Sequence, residues 1–489
     1  MKKVCTLLAG LALLALPAAG QNAFRGAYFM DTYLYGHTMN PALTANRSYA
    51  SLALGRIDVQ TQSNLGASTF FYPVGNSAVS FLSESVSSQE FLSKIHRHNI
   101  EDVNVQLDLL NFGFWTAKDQ FHSFSLNLHV AERATVPYDV FRFLKDGSTD
   151  GNYYDLSGIG LRARSYAEAA YGISFPVTDE LRIGGKVKAL VGLVYADARY
   201  DRMDVTLSGE RWSVESDGRM RSSNLPATQS NQPVKITETL DFDDFDPTQM
   251  RPSGFGAAFD LGATWDVLPW LQLSASVTDL GFLHWKMDES VARGSWEYTG
   301  FENISFQGDN NLEEKLDAKL EELNKLLEFQ RTGSASSMDL LPATFYVGAK
   351  AMPCDWFSAG LLGTMRREGS FSWSELRAAI NLEPTHWFGW SGSAAYGSFG
   401  PKFSSLLNLR GGPFALFLGG EITSPFFIST EPRASHSLKD YFEGEVVAVP
   451  RDNLNFNLMV GLNLVFGRKA GRQARSYNHE TYEVIDTYE

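Results

Sequence analysis

Residues 453–466, NLNFNLMVGLNLVF, restrict the possible folds more than any other stretch of the chain. Leu454, Phe456, Leu458, Val460, Leu462, Leu464 and Phe466 occupy every second position, with Asn453, Asn455, Asn457, Met459, Gly461, Asn463 and Val465 between them. A period of two places one set on each face of an extended strand. A helix would scatter the same apolar residues around its circumference, and the asparagines disfavour it. Fourteen residues exceed the length of an ordinary strand. They suit a tilted strand crossing a bilayer, with lipid on the Leu/Phe face and a wet lumen on the Asn/Gly face.

The N-terminus reads as a secretory signal over residues 1–20. Lys2 and Lys3 precede an apolar core from Val4 to Leu16, and Ala18-Ala19-Gly20 form a small-residue cleavage site. That apolar run is too short to span a bilayer as a helix. Cleavage would leave 469 of 489 residues and move the net charge from −14 to −16, because both signal lysines are lost. It would also remove Cys5 and leave Cys354 alone, which excludes an intrachain disulfide. The acidic balance argues against a nucleic-acid partner. Export, long alternating strands and 13% aromatic residues together predict an all-β, transmembrane antiparallel β-barrel in the cell outer membrane. Its expected partners are membrane lipids and the barrel-assembly machinery.

Hairpins recur along the chain. Strands are predicted at 49–59, 103–116, 121–131, 164–175, 181–196, 253–266, 270–280, 343–352, 356–367, 371–382, 387–398, 403–410, 414–422 and 453–466. Six connections are short. The stretches 132–163, 197–252, 281–342 and 423–452 read as long loops. Outer-membrane barrels alternate short periplasmic turns with longer outer loops, so the pattern puts both termini in the periplasm. The count is fourteen strands, or sixteen if 65–72 and 78–82 enter the wall; their poor alternation favours fourteen. The domain reading is therefore signal 1–20, N-terminal plug 21–48, barrel 49–466 and periplasmic tail 467–489.

A charge test supports the lipid face. The strands at 181–195, 255–265 and 454–466 offer twenty-one outward positions, from Leu181 to Tyr195, Phe255 to Trp265 and Leu454 to Phe466, and none is charged. At 20% charged residues, chance would supply roughly four. An Arg or Lys at the bilayer midplane costs about 2–4 kcal/mol, which explains the exclusion. Trp265 and Trp270 flank one tight turn, as in an interfacial aromatic girdle.

Between the signal and the first strand, residues 22–46 are aromatic-rich without a sustained period. Free exposure of Phe24, Tyr28, Phe29, Tyr33, Leu34 and Tyr35 would be costly, so the segment is read as a plug folded into the lumen. Phe29, Tyr33, Leu34, Tyr35, Asn40 and Pro41 are the candidate ligand-binding residues, with Asn40-Pro41 setting the turn into the first strand. One amphipathic helix is expected over 311–329, where Leu312, Leu316, Leu320, Leu323 and Leu327 form a stripe, capping an outer loop.

Catalytic and metal signals are weak. Ser125, Asn127 and His129 share one strand face, but same-face neighbours lie near ~7 Å apart, too far for direct hydrogen bonds, so they read as lumen lining and not as a catalytic set. Asp241, Asp243, Asp244 and Asp246 form an acidic knot. Asp246 and Pro252 stand where a calcium loop of the EF-hand type needs glycine and glutamate, so that motif fails. No phosphate loop, dinucleotide fingerprint or Cys/His metal spacing is found, and no cofactor or enzyme activity is expected.

Met39-Asn40-Pro41-Ala42-Leu43 resembles the Asn-Pro-Ala segment of the long-chain fatty-acid transporter superfamily of outer-membrane barrels. SGFGAAFDLGATWD at 253–266, followed by LQLSASVTDLGFLHW at 271–285, resembles an uncharacterised Bacteroidetes-type outer-membrane barrel family within that group, carried as a domain of unknown function. The resemblance implies a fourteen-stranded barrel with its N-terminal segment in the lumen. It also implies two functional expectations: a plugged channel for small hydrophobic molecules, or a structural or scaffolding barrel associated with surface-protein export. The tail beyond Phe466 departs from a plain barrel of this kind. Its RKAGRQAR run and acidic end have no apolar face, so the tail should be disordered in isolation. Protease added to intact cells should leave it uncut; cleavage there would reverse the topology.

Overall fold

The computed structural model describes residues 24–74, 77–147, 152–208, 211–225, 233–236, 251–299, 321–368, 371–423, 427–432, 447–450 and 455–467. The signal, the acidic knot at 241–246, the first part of the expected helix and the tail from 468 onward lie outside them.

Fourteen wall strands run in chain order: β1 Ser48–Ser63, β2 His98–Trp115, β3 Phe121–Pro137, β4 Gly160–Pro176, β5 Leu181–Leu207, β6 Gly254–Leu268, β7 Leu271–Tyr298, β8 Ala343–Cys354, β9 Phe357–Glu368, β10 Phe371–Leu382, β11 Phe388–Gly397, β12 Gly400–Gly411, β13 Phe414–Ile422 and β14 Phe456–Phe466. Each pairs antiparallel with the next. The ring closes where β14 returns to β1, with Val59 opposite Leu458 and Ala50 opposite Leu464. Closure leaves no wall edge unpaired, the condition for a sheet to cross hydrocarbon.

Period-two alternation sorts the side chains as expected. On β14, Leu458, Val460, Leu462 and Leu464 are exposed, whereas Asn457, Met459 and Asn463 are buried. On β5 and β6, Val187, Phe255 and Leu261 point out, and Lys186, Lys188 and Asp260 point in. Trp265, Trp270, Trp356 and Trp387 are exposed around the short-turn end, where an interfacial girdle belongs. Tyr195 corrects the predicted lipid face. Ser165 sits opposite Val194 but Tyr166 opposite Gly192, which leaves Leu193 as a bulge. A bulge reverses the strand's parity, and Tyr195 turns inward onto Trp285.

The long connections depart further from expectation. β5 and β7 continue far past the wall, and Trp212–Ser223 and Glu328–Leu340 pair with them into an outer sheet. What reads as loop in 197–252 and 281–342 is in large part strand. Its charges masked the pattern: Arg202–Glu215, Arg219–Asp201, Arg293–Asp217 and Arg331–Asp288 are cross-strand ion pairs on an exposed face. The opposite face buries Tyr200, Met220, Ala292 and Phe329 together. The expected helix survives over residues 321–326, and the chain is already strand from Glu328, because Phe329 is drawn into that cluster. Leu323 and Leu326 pack on the sheet through Tyr154, Val205 and Val214. The 132–163 stretch likewise carries β3 out to Pro137, a helix at Tyr138–Asp146 and the start of β4 at Gly160. Short strands at Phe71–Val74 and Ser77–Ser80 join Phe427–Pro432 and Val447–Pro450 in a separate four-stranded sheet, so they add nothing to the wall.

Val460 lies at the middle of β14 and Leu464 near its short-turn end. Val460→Arg should cost about 2–4 kcal/mol of folding stability and Leu464→Arg about 0–1, measured by denaturant titration in lipid vesicles. Equal costs would place the bilayer elsewhere on the wall.

Candidate functional site

Residues 24–46 fold inside the ring. Two single turns, Arg25–Ala27 and Gly36–Thr38, compact the segment without committing it to a helix or strand. Phe24, Tyr28, Phe29, Met30, Tyr33, Leu34, Tyr35 and Met39 are buried in one cluster with wall residues such as Tyr49, Tyr346, Leu406, Phe417 and Met459. A barrel of this bore would otherwise hold water against those rings, so the hydrophobic effect draws the segment in.

Wall glycines make the space. A Cβ at Gly360 would lie 2.5 Å from the Phe29 ring, and one at Gly348 3.1 Å from it. Gly184 and Gly262 form a second notch. A Cβ at Gly184 would come within 2.3 Å of the Pro41 backbone, and one at Gly262 within 2.0 Å of Asn40 Oδ1. Asn40 acts as a latch in that notch. Its Oδ1 accepts the Ala42 amide at 2.9 Å, and its Nδ2 donates to Tyr28 Oη at 3.2 Å and to the carbonyls of Ala263 and Ala275 at 3.2 and 3.5 Å. Asn40-Pro41 therefore docks the segment on β6 and β7, across the lumen, and does not simply turn the chain into β1.

Charges fix the same segment. Buried Arg25 pairs with Glu375 of β10 at 3.2 Å. Asp31 accepts from Lys350 of β8 at 2.6 Å, and Glu383 accepts the Asp31 and Thr32 amides at 3.1 and 2.7 Å. Arg410 donates to the Thr32 carbonyl at 2.8 Å. His37 lies 2.6 Å from Tyr49 Oη, and burial, reinforced by the Lys186 and Arg56 charges, holds its imidazole well below the usual pKa range and hence neutral. Removing Arg25 alone would leave the buried Glu375 short of a partner at a cost of about 3–5 kcal/mol, whereas the intact pair contributes less than that to holding the segment, because both charges regain water when it leaves.

A cavity of about 480 Å³ opens beside the segment at the short-turn end. Of the sequence-predicted ligand residues, Phe29 and Tyr33 line it. Leu34 is fully enclosed, Tyr35 donates to Asn463 Oδ1 at 2.7 Å, and Asn40 and Pro41 sit in the glycine notch, so these four do not line this cavity. Sequence reading missed Met30, Leu43, Trp115 and Phe357 on the apolar side of the cavity and Arg182, Lys350 and Glu383 on the polar side. Inward parity on β5 already marked Arg182; nothing local marked the others, which come from five different parts of the chain.

Ser125, Asn127 and His129 line the lumen on β3. Asn127 Nδ2 reaches Ser125 Oγ at 3.3 Å, closer than strand spacing alone predicts, because the side chains lean along the strand. His129 instead faces Glu168 at 3.4 Å, which also approaches Lys188 at 3.7 Å. The group is thus part of a charged lumen network, with the imidazole turned to a carboxylate and not to the hydroxyl.

A closed antiparallel ring of fourteen strands, with an apolar outer belt and a filled polar lumen, defines a membrane-type β-barrel. A family model described as "Family of unknown function (DUF5723)" matches residues 41–420, and the chain belongs to that family. No curated protein matches it by sequence. Among solved structures, it is similar to the Ralstonia pickettii toluene transporter TbuX at 10% identity and a TM-score of 0.42, covering 89% of this chain and 95% of that one. It is also similar to the P. putida toluene transporter TodX at 8% identity and 0.43, covering 89% and 95%. A Pseudomonas aeruginosa FadL homologue gives 10% and 0.42, covering 90% and 96%.

Gly262→Val should force Asn40 out of its notch while leaving the ring closed. The variant should keep heat-modifiable gel migration, yet residues 24–46 should become accessible to protease added to the purified protein. Protection equal to the parent protein would show that Asn40 is not what holds the segment.

Proposed function

We propose that this protein is an outer-membrane channel whose N-terminal segment closes the lumen and whose short-turn cavity receives a small hydrophobic molecule. The observation that carries the reading is the way the segment is held. Wall strands are joined by continuous backbone ladders, but residues 24–46 meet the wall through side-chain contacts, glycine notches and a few ion pairs. An element held in that way can leave without opening the ring.

The cavity supports the same reading. Its volume of about 480 Å³ suits a small ligand, with Phe29, Met30, Leu43, Trp115 and Phe357 offering an apolar surface and Arg182, Lys350 and Glu383 a polar rim. The exposed apolar belt, the tryptophans at the short-turn end and the signal-like N-terminus favour the outer membrane, with that end toward the periplasm.

Deleting residues 24–35 tests the proposal. The barrel should still fold and migrate in a heat-modifiable way, its conductance in planar bilayers should rise, and binding of a fluorescent hydrophobic probe should be lost together with Phe29 and Tyr33. Unchanged conductance would refute the gate. Raised conductance with no probe binding by the full-length protein would favour the scaffolding barrel.

A further inference from the structure

His37 sits in the second single turn of the plug, Gly36–Thr38, three residues before the Asn40 latch. It links the plug to two separate parts of the wall. Lys186 of β5 approaches its Nδ1 at 3.4 Å and donates to its carbonyl at 3.3 Å. On the other side of the ring, Nε2 lies 2.6 Å from Tyr49 Oη of β1. Tyr49 donates in turn to Asn111 Oδ1 of β2 at 2.8 Å, and Asn111 Nδ2 donates to Asp108 Oδ2 at 3.2 Å. Asp108 is paired with Arg56 at 3.2 Å.

The partners fix every proton along this line. A carboxylate only accepts, so Asn111 turns its amide nitrogen to Asp108 and its oxygen to Tyr49. Tyr49 gives its one proton to that oxygen and must accept from His37, so Nε2 carries the imidazole proton. At the other end an ammonium only donates, so Nδ1 is bare. Both ends demand the same neutral tautomer.

Nothing around the ring welcomes a second proton. The rings of Phe121 and Tyr49 lie 5.9 and 6.1 Å away, and His37 is buried. The charges acting on it, Lys186 from β5 and Arg56 from β1, are both cationic, and a phenol such as Tyr49 stays protonated where histidine titrates. An added Nδ1 proton would point at the Lys186 ammonium. Lys186 and Gly184, whose notch takes Pro41, are successive inward positions of β5, so displacing His37 disturbs the Asn40-Pro41 docking as well.

We propose that His37 is an acid-sensitive lock on the plug, which joins β5 to β1 while neutral and is expelled by Lys186 when protonated. The lock itself stands on the seating of the plug; its use as a gate rests on the plugged-channel reading. Burial and the two cations hold the docked imidazole well below the usual range, whereas a released one titrates near its ordinary value of about 6.5. Above that value neither state takes up a proton and docking is at full strength. Below it the released state binds a proton that the docked state refuses, so docking weakens about tenfold per pH unit until the docked ring titrates too. Glu383, which holds the Asp31 and Thr32 amides, acts in the opposite sense. Burial and the Asp31 charge raise its pKa, so docking gains from its protonation.

Proteolysis of residues 24–46 in the purified full-length protein tests the lock, with His37→Gln as the reference at each pH, since a glutamine amide can still donate to Tyr49 but does not titrate. The ratio of parent to variant cleavage rates should rise about tenfold between pH 7.5 and 5.5. A ratio that does not change with pH overturns the lock. Lys186→Met, with heat-modifiable migration retained, should reduce the acid-induced rise in cleavage, and an undiminished rise also overturns it. In planar bilayers the parent should conduct more at pH 5.5 than at 7.5, and His37→Gln should not. If deleting residues 24–35 raises conductance but acid does not, the lock is overturned as a gate. If neither raises conductance while the cleavage ratio still rises in acid, the channel reading fails and the lock stands.

Discussion

Backbone hydrogen bonding in hydrocarbon governs this molecule. Every N–H and C=O of the wall within the bilayer needs a protein partner, because lipid offers none. The β1–β14 seam meets that demand for the two strands that would otherwise be edges. Closing fourteen strands leaves a bore too wide for wall side chains alone to fill with apolar packing. The N-terminal segment and the charged lumen network are two answers to that space, one apolar near the short turns and one ionic above it. The glycines of β5, β6, β8 and β9 belong to the same solution, since they let a separate piece of chain approach the wall backbone.

Parity made the wall legible in the sequence. Fourteen strands and their short turns follow from period-two alternation, because lipid exposure imposes a strict chemical contrast between faces. Where that contrast lapses, reading fails. Tyr195 is misplaced by one bulged residue, Leu193, which no composition rule marks. The outer extensions of β5 and β7 look like loops because their exposed strands are charged, and the ion pairs that stabilise them, such as Arg293–Asp217, join residues far apart in sequence.

The plug shows the same limit at closer range. Its aromatic content announces that it must be buried, so its place in the lumen was legible. Which side chains remain facing the cavity was not, because that depends on wall residues hundreds of positions away, such as Lys350 and Glu383. Tyr35 and Leu34 resemble Phe29 and Tyr33 in character, yet Asn463 and the surrounding cluster enclose them. That Gly262 clears space for Asn40 is a fact of the fold, since the two meet only across the lumen.

The tether between Arg25 and Glu375 joins residues 350 positions apart, and the Tyr33 contact to Met459 spans 426. A segment that precedes β1 is thus completed by strands hundreds of positions further along the chain. Until β10, β13 and β14 are in place, the pocket for Arg25, Tyr33 and Tyr35 has no walls. Loop-closure entropy on this scale makes such contacts late events in folding. The segment therefore reaches its final packing only with the ring assembled, and the open end of the lumen that would let it out also lets it in. The pairing of β1 with β14 thus precedes the final seating of the plug: the bottle is closed before the cork is tight.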